Sequence, residues 1–161
     1  MKILAFDYGA SSGRAIVGTY ENKILSLKEV HRFASDPVYM NDVFTWDFLR
    51  LFLELKRGIL KAYQGGDSDI ASIGIDTWGV DFLLLDKNGE VIGDSVGYRD
   101  NRTDGMDELV YKSVPLDELY ARTGIQKQMF NTVYQLMAVK QRNPEHLEAA
   151  EALLMMPDYL G

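Results

Sequence analysis

The opening of the chain combines two kinds of hydrophobic pattern. The run "KILAF" is more continuously apolar, as in a central strand, whereas "VHRF" alternates apolar and polar residues, as in a half-buried strand. These patterns predict strands over residues 2–7, 14–20 and 24–33. The short polar segment "ENK" between the second and third strands indicates a hairpin.

The clearest helix follows a loop and begins near residue 47. Thr45 is the predicted cap, and Asp47 suits the first turn of a helix. "QGGDSD" ends the segment. The predicted buried stripe, at helical spacing, consists of Phe48, Phe52, Leu55, Ile59 and Tyr63.

The remainder of the chain predicts further strands and then helices. "IASIGID" is predicted as a buried strand and "VDFLLLD" as another, with "KNGE" turning into "VIGDSVGY". From residue 103 onward the periodicity is helical, in "TDGMDELVYKS", "PLDELYARTG", "NTVYQLMAVKQR" and "PEHLEAAEA". Tyr, Met and Phe residues in "IQKQMFNTVYQLMAVK" are interpreted as core. Three strands, a helix and a strand parallel to the first predict an α/β, ribonuclease-H-like fold, with a mixed central sheet and flanking helices.

The carboxy-terminal segment "ALLMMPDYLG" predicts a strand and then the start of a helix at Pro157 and Asp158. A helix with so few residues is not stable by itself. One interpretation is a frayed tail. The interpretation we favour is that these 161 residues form one domain of a longer protein.

Composition narrows the possible functions. A formal net charge of −7 argues against a nucleic-acid partner, because phosphate backbones are bound by clustered Lys and Arg. The chain contains no cysteine, so it has neither a disulfide nor a thiolate metal site. Its apolar runs are too short for a secretion signal or a membrane span, which leads us to expect a cytoplasmic protein without a membrane partner.

The segment "DYGASSGR" is a candidate phosphate-binding turn. Small residues let backbone N–H groups approach an anion, Ser11 and Ser12 add hydroxyls, and Arg14 adds a cation. Asp7, at the end of the first strand, is a candidate Mg²⁺ ligand through water. The alternative is an ordinary turn rich in glycine and serine.

Two later segments are candidates for sugar binding. In "SIGIDTWGVDF", Trp78 offers a flat apolar surface, Gly79 permits a tight turn, and Asp81 offers an acceptor for hydroxyls. The alternative is that Trp78 lies in the core and Asp81 in a turn.

The second of these segments is "GYRDNRTDGM", which places two arginines around an acid. Arg99, Asp100 and Arg102 could orient hydroxyl groups through charge-assisted hydrogen bonds. The alternative is a solvated surface network that contributes little.

These segments together resemble the FGGY family of carbohydrate kinases. "DYGASSGR", "SIGIDTWGVDFLLLD", "YRDNRTDGM", "RTGIQ", "FNTVYQL" and "MMPDYL" occur in the family's order and span residues 7–160. "DTWGVDF" with "YRDNRT" resembles the branch that acts on L-rhamnulose. The resemblance implies transfer of the ATP γ-phosphoryl group to the 1-hydroxyl of that sugar, with Mg²⁺.

The resemblance also implies roles for individual residues. Phosphate contacts are implied for Ala10, Ser11, Ser12, Gly13 and Arg14, and sugar contacts for Trp78, Gly79, Asp81, Arg99, Asp100 and Arg102. Asp7 is implied to be a catalytic residue whose carboxylate lies near the metal and the transferred phosphate. The general base and the adenine pocket are implied to lie in a C-terminal domain outside this chain, so we expect these residues alone to be inactive.

Two alternatives remain open at this stage. One is a kinase for a related ketose or pentulose such as fuculose. The other is a non-catalytic, actin-like module that uses the same fold for assembly.

Overall fold

Two units make up the chain in the computed structural model, which describes all 161 residues. The first unit comprises Met1–Val38, Trp46–Gly79 and Met156–Gly161, and the second comprises Tyr39–Thr45 and Val80–Met155. That the 161 residues act as one domain stays a prediction.

Nine strands and six α-helices are present, with one 3₁₀ turn at Asn101–Thr103. The strands are β1 (Lys2–Tyr8), β2 (Ser12–Glu21), β3 (Ile24–Ala34), β4 (Val38–Met40), β5 (Val43–Thr45), β6 (Ile70–Thr77), β7 (Phe82–Leu85), β8 (Val91–Ile92) and β9 (Ala152–Met155). The helices are α1 (Phe48–Gln64), α2 (Met106–Tyr111), α3 (Leu116–Thr123), α4 (Thr132–Arg142), α5 (Pro144–Ala149) and α6 (Met156–Leu160).

A mixed four-stranded sheet in the order β3-β2-β1-β6 organises the first unit. Strands β1, β2 and β3 are antiparallel neighbours, and β6 pairs with β1 in parallel. The hairpin between β2 and β3 turns at Asn22 and Lys23, whose φ angles of 51° and 64° match the turn that suits the twist of paired strands. The predicted α/β fold with a mixed sheet is confirmed.

Helix α1 covers this sheet with a face different from the predicted stripe. Asp47, not Thr45, caps it, because the Asp47 carboxylate accepts a hydrogen bond from the Arg50 backbone N–H at 3.0 Å. The prediction that Phe52 and Tyr63 are buried is wrong, since they are 42% and 66% exposed. The buried positions are Leu51, Glu54, Leu55, Gly58 and Ala62.

Small residues on α1 explain this difference. A Cβ atom at Gly58 would lie 2.5 Å from the Phe6 ring of β1 and 2.9 Å from the Cβ of Ala15 on β2. The helix therefore approaches the sheet through its smallest side chains, which hydrophobicity does not single out.

Strand β6 is not the buried strand that its apolar sequence predicted. It lies at the edge of the sheet, and Ala71, Ser72, Ile73 and Gly74 are all exposed. Within this unit only β1 pairs with it, so one of its backbone edges is unpaired.

A three-stranded antiparallel sheet in the order β8-β7-β9 lies in the second unit, and β4 and β5 form a separate two-stranded pair. All four residues of β7 are buried, which confirms the strand predicted from "VDFLLLD". The strand predicted from "VIGDSVGY" is only Val91–Ile92. The four predicted helices form α2 to α5, and the strand predicted from the carboxy-terminal segment forms β9.

The predicted core residues before and within α4 have mixed outcomes. Tyr134 is almost fully buried, whereas Met129 and Phe130 are 37% and 36% exposed and precede the helix. None of the helices in the structure combines the length and apolar character that crossing a membrane requires.

Candidate functional site

The turn between β1 and β2 is held by hydrogen bonds at its base. The Gly9 N–H donates to the Ser12 carbonyl at 3.0 Å, and the Ser35 hydroxyl donates to the Gly9 carbonyl at 2.8 Å. Ser35 also donates its backbone N–H to the Ser11 carbonyl. At Gly13 a Cβ atom would overlap the Phe33 ring, so any larger residue would require that ring to move. The hydroxyls of Ser11 and Ser12 are exposed at the surface of a fixed turn.

Asp7 and Arg14 stand opposite each other on β1 and β2. The Arg14 Nε and Nη2 atoms lie 2.8 and 2.7 Å from Oδ2 of Asp7. Both side chains are close to half exposed, at 46% for Asp7 and 44% for Arg14. A ligand can therefore reach the carboxylate and the guanidinium from solvent.

A second carboxylate accompanies Asp7 at the end of the parallel pair of strands. Asp76 on β6 is the register partner of Asp7 on β1. Sequence reasoning did not select Asp76 as a site residue, although "LAFD" and "IGID" both place an acid directly after an apolar strand. No group of three or more His, Cys, Asp or Glu side chains is placed to hold a metal ion.

Trp78 stacks on another tryptophan in the first unit. The ring centroids of Trp46 and Trp78 lie 4.0 Å apart with 36° between the ring planes. Trp46 is 2% exposed, whereas Trp78 is half-buried. Gly79 follows in an exposed position, where a Cβ atom would have open space around it. Trp78 is thus packed against Trp46 and is still partly accessible to solvent.

Val80, at the start of the second unit, has an unusual backbone conformation that the sequence does not signal. Its φ angle is +71°, a region that β-branched residues avoid. The Val80 carbonyl accepts hydrogen bonds from Thr132 Oγ1 at 2.9 Å and from Gln135 Nε2 at 3.2 Å. These two side chains of α4 hold the strained residue in place.

Asp81 is buried rather than open to a ligand. Its side chain is 1% exposed, and its oxygens accept hydrogen bonds from Gln135 Nε2 at 2.9 Å and from the Tyr98 backbone N–H at 3.1 Å. The geometry supports a positioning role, in which Asp81 fixes the backbone around Val80 and Tyr98. Its predicted contact with a sugar stays a prediction.

Asp100 and Arg102 do not form a solvated surface network, because both are more than nine-tenths buried. The two oxygens of Asp100 accept the backbone N–H groups of Arg102 and Phe44, at 2.7 and 2.8 Å. Burial lowers the pKa of Arg102 to about 10, although the nearby Asp81 and Asp100 act to raise it. Arg102 remains charged at neutral pH.

Gln135 links these groups, and sequence reasoning missed it. It is fully buried on α4, and its Oε1 accepts a 2.6 Å hydrogen bond from Arg102 Nη2. Its Nε2 reaches Val80, Asp81 and the Phe130 carbonyl. The sequence signal that could have identified Gln135 is its position as a polar residue on the buried face of the helix predicted from "NTVYQLMAVKQR".

Arg99 differs from its neighbours because it is exposed. Its guanidinium carbon lies 5.4 Å from the centre of the Tyr98 ring, and Tyr98 packs edge-on against Phe130 with ring centroids 5.5 Å apart. Of the three predicted residues in this segment, Arg99 is the one open to solvent.

Comparison with known proteins identifies relatives along nearly the whole chain. Residues 2–161 match the family model described as the N-terminal domain of the FGGY family of carbohydrate kinases. The chain is 51% identical to a rhamnulokinase of Oceanobacillus iheyensis over 98% of its length, and 48% identical to one of Halalkalibacterium halodurans over 97%. It covers 33% of each of these proteins, so it spans about a third of their length.

Solved structures show the same fold at low sequence identity. A gluconate kinase from Lactobacillus acidophilus matches with a TM-score of 0.83 and 16% identity, over 99% of this chain and 32% of that one. A xylulose kinase from Rhodospirillum rubrum matches with a TM-score of 0.80 and 17% identity, over 99% and 34%. The motif resemblance and the predicted fold are both confirmed.

Proposed function

Because the chain belongs to the FGGY family of carbohydrate kinases, we propose that it forms the N-terminal part of an enzyme that phosphorylates L-rhamnulose at its 1-hydroxyl with ATP. The 51% identity to a rhamnulokinase along 98% of the chain is the observation that carries this proposal. The sugar, ATP with Mg²⁺ and a C-terminal domain are its proposed partners, and the cytoplasm is its proposed location.

The turn between β1 and β2 is the proposed nucleotide-phosphate site. Its hydrogen-bonded base fixes the backbone, and the absence of a side chain at Gly13 leaves room for the Phe33 ring of β3. The exposed hydroxyls of Ser11 and Ser12 can donate to phosphate oxygens, and Arg14 can add a positive charge. In phosphoryl transfer most of the catalysis is positioning and electrostatic stabilisation, which is what such a turn supplies.

Asp7 and Asp76 are the residues that fit a magnesium ion. Mg²⁺ in kinases uses one or two carboxylates and completes its shell with water and substrate phosphates, so a larger acidic cluster is not required. Bound there, the ion would neutralise phosphate charge. The partial exposure of Asp7 leaves its carboxylate accessible for this role.

The proposed sugar contacts are the exposed members of the predicted set. Trp78 offers its accessible ring surface, Gly79 its backbone, and Arg99 its guanidinium. Asp81, Asp100 and Arg102 are buried and bonded to protein groups, so we assign them a positioning role.

The first test is an ADP-release assay with L-rhamnulose, with L-fuculose and without sugar. It is run on the protein from its complete reading frame and on the 161 residues alone. We expect sugar-dependent release only from the complete protein, fastest with L-rhamnulose. The proposal would be contradicted by faster ADP release with L-fuculose than with L-rhamnulose, or by ADP release at the same rate with and without sugar. Turnover by the 161 residues alone at an ordinary enzyme rate would also contradict it.

A second test concerns Asp7 itself. In the complete protein, Asp7→Asn removes the charge that holds the metal, and we expect turnover to fall at least about tenfold. Asp69→Asn is the matched control, because Asp69 is an exposed acid of the same unit that pairs with Lys2. Equal turnover in the two variants would remove Asp7 from the proposed chemistry.

A further inference from the structure

A cavity of about 180 Å³ lies within the second unit, and no ligand has been assigned to it above, although Asp100 and Arg102, which have a proposed positioning role, line it. Phe82 and Leu84 of β7 and Val139 of α4 form part of its apolar wall. Charged and polar side chains also line it, among them Arg102 and Arg142. Pockets for drug-sized ligands occupy about 300–1,000 Å³, so this cavity suits a smaller molecule.

Arg102 is a buried cation without an anionic partner in contact. It is 9% exposed, and no carboxylate lies within salt-bridge distance of its guanidinium. Its one side-chain hydrogen bond goes to the neutral amide oxygen of Gln135. Its Nε atom is buried and has no hydrogen-bond partner. Buried charges are ordinarily paired, so this arrangement leaves a place for an acceptor.

The acids nearest to Arg102 are already occupied by other donors. Asp81 accepts hydrogen bonds from Gln135 and from the Tyr98 backbone. Asp100 accepts backbone N–H groups with both oxygens. Neither carboxylate lies within salt-bridge distance of the guanidinium.

Arg142, at the end of α4, brings a second positive charge to the same cavity. It is exposed and takes part in no salt bridge, and its charge acts to lower the pKa of Arg102. His146 also lines the cavity and packs over Gly93, where a Cβ atom would lie 2.8 Å from its ring. An anion in the cavity would relieve the repulsion between the two arginines.

Asp94 is the remaining acid on the cavity wall besides Asp100. It is exposed and takes part in no salt bridge, so it can accept a hydrogen bond from a hydroxyl group. The wall thus combines cationic groups, one free acceptor and an apolar surface.

We infer that this cavity binds a small organic carboxylate, with Arg102 as the buried anchor and Arg142 as the second cation. The carboxylate matches the planar fork of a guanidinium, and a short hydrocarbon part fills the space beside Phe82 and Val139. Inorganic phosphate would leave that apolar surface uncovered. The inference does not depend on kinase activity.

An NMR titration of the 161-residue chain tests this inference with sodium propionate as the probe. We expect saturable shifts of the Arg102 and Arg142 signals. Propionamide, the neutral analogue, and sodium phosphate should produce smaller shifts that do not saturate. Equal shifts with propionamide, a stronger response to phosphate or to L-rhamnulose, or no saturable shift with propionate would overturn the assignment.

Two variants on α4 complete the test. Arg142→Gln removes an exposed charge without disturbing the core, and we expect propionate affinity to fall about tenfold. Lys140→Gln, an exposed lysine on the same helix that does not line the cavity, should bind propionate as the unmodified chain does. Equal affinity of the two variants would also overturn the assignment. If the complete protein fails the ADP-release assay while the 161-residue chain binds propionate, the proposed function is wrong and this inference stands.

Discussion

The turn at the end of β1 and the buried network in which Gln135 bonds to Val80, Asp81 and Arg102 use acidic residues in opposite ways. Asp7 is 46% exposed and faces one arginine that is also exposed. Asp81 is 1% exposed, and its oxygens are bonded to protein donors. The first arrangement leaves charge available to a ligand, whereas the second uses charge to fix the backbone.

This difference shows that chemical type alone does not identify a ligand contact. Both acids follow or precede apolar strands and sit beside a glycine-containing turn. Burial separates them, because Asp81 is enclosed by the protein and bonded to Gln135 and Tyr98, whereas the carboxylate of Asp7 is open to solvent.

The largest effect is expected from breaking the buried network at Gln135. Gln135→Leu removes partners of Val80, Asp81 and Arg102, and should lower the free energy of unfolding by about 3–5 kcal/mol. Urea unfolding followed by circular dichroism measures the change.

Gln141→Leu is the control for this variant, since Gln141 is exposed on the same helix. Its effect should stay within about 0.5 kcal/mol. Similar losses in the two variants would mean that the network does not stabilise the unit.

A smaller effect is expected from Gly13→Ala in the turn region. The new Cβ atom would overlap the Phe33 ring, and such overpacking costs about 1–3 kcal/mol. Gly74→Ala on β6 is the control, because a Cβ atom there would have open space around it. Thermal unfolding of both variants provides the comparison, and an unchanged midpoint for Gly13→Ala would contradict the close packing of the turn.

Asp81, the buried acid compared above, lies in the second unit, so a buried acid of the first unit is needed to show that burial itself gives an acidic residue a stabilising role. Glu54 is such a residue, and its Oε2 lies 2.6 Å from Nε2 of His31. Lys61 can only donate to Nδ1 of His31, so Nε2 carries the hydrogen that Glu54 accepts. Burial acts to raise the pKa of Glu54, but hydrogen bonds from His31 and Arg57 outweigh it and hold that pKa below its ordinary value.

The sign of the expected pH effect follows from this lowered pKa. The unfolded chain takes up the proton first as the pH falls, so the stabilisation is present above the ordinary value of 4.5 and is lost below it. Glu54→Gln should flatten the dependence of the unfolding free energy on pH in that range. Glu148→Gln, at an exposed position, should leave the slope unchanged. Parallel curves for the unmodified chain and Glu54→Gln would count against a structural role.

The smallest effect on stability is expected at Asp7. Its ion pair with Arg14 is half exposed, and such pairs contribute about 0–1 kcal/mol. Asp7→Asn should therefore shift the unfolding free energy by less than about 0.5 kcal/mol, while Asp81→Asn should cost more because it disturbs a buried bond. Equal losses would erase the contrast between the two acids.

The sequence by itself determined the type and order of most elements, the fold class and the family. Apolar periodicity located the hairpin, α1 and β7, since that pattern records which residues can leave water. The motifs around Asp7, Trp78 and Arg102 led to the family that the comparisons confirmed. These are local signals, readable in a short window of residues.

Only the tertiary structure decided which of those residues are accessible. Most of β6 is exposed in the folded structure. The face of α1 against the sheet carries Gly58 and Ala62, not Phe52 and Tyr63. The side chains of Asp81, Asp100 and Arg102 are buried. The tertiary structure also brought Gln135 to Val80, 55 positions away along the chain. Burial and hydrogen-bond partners depend on segments distant in sequence, so no local pattern could supply them.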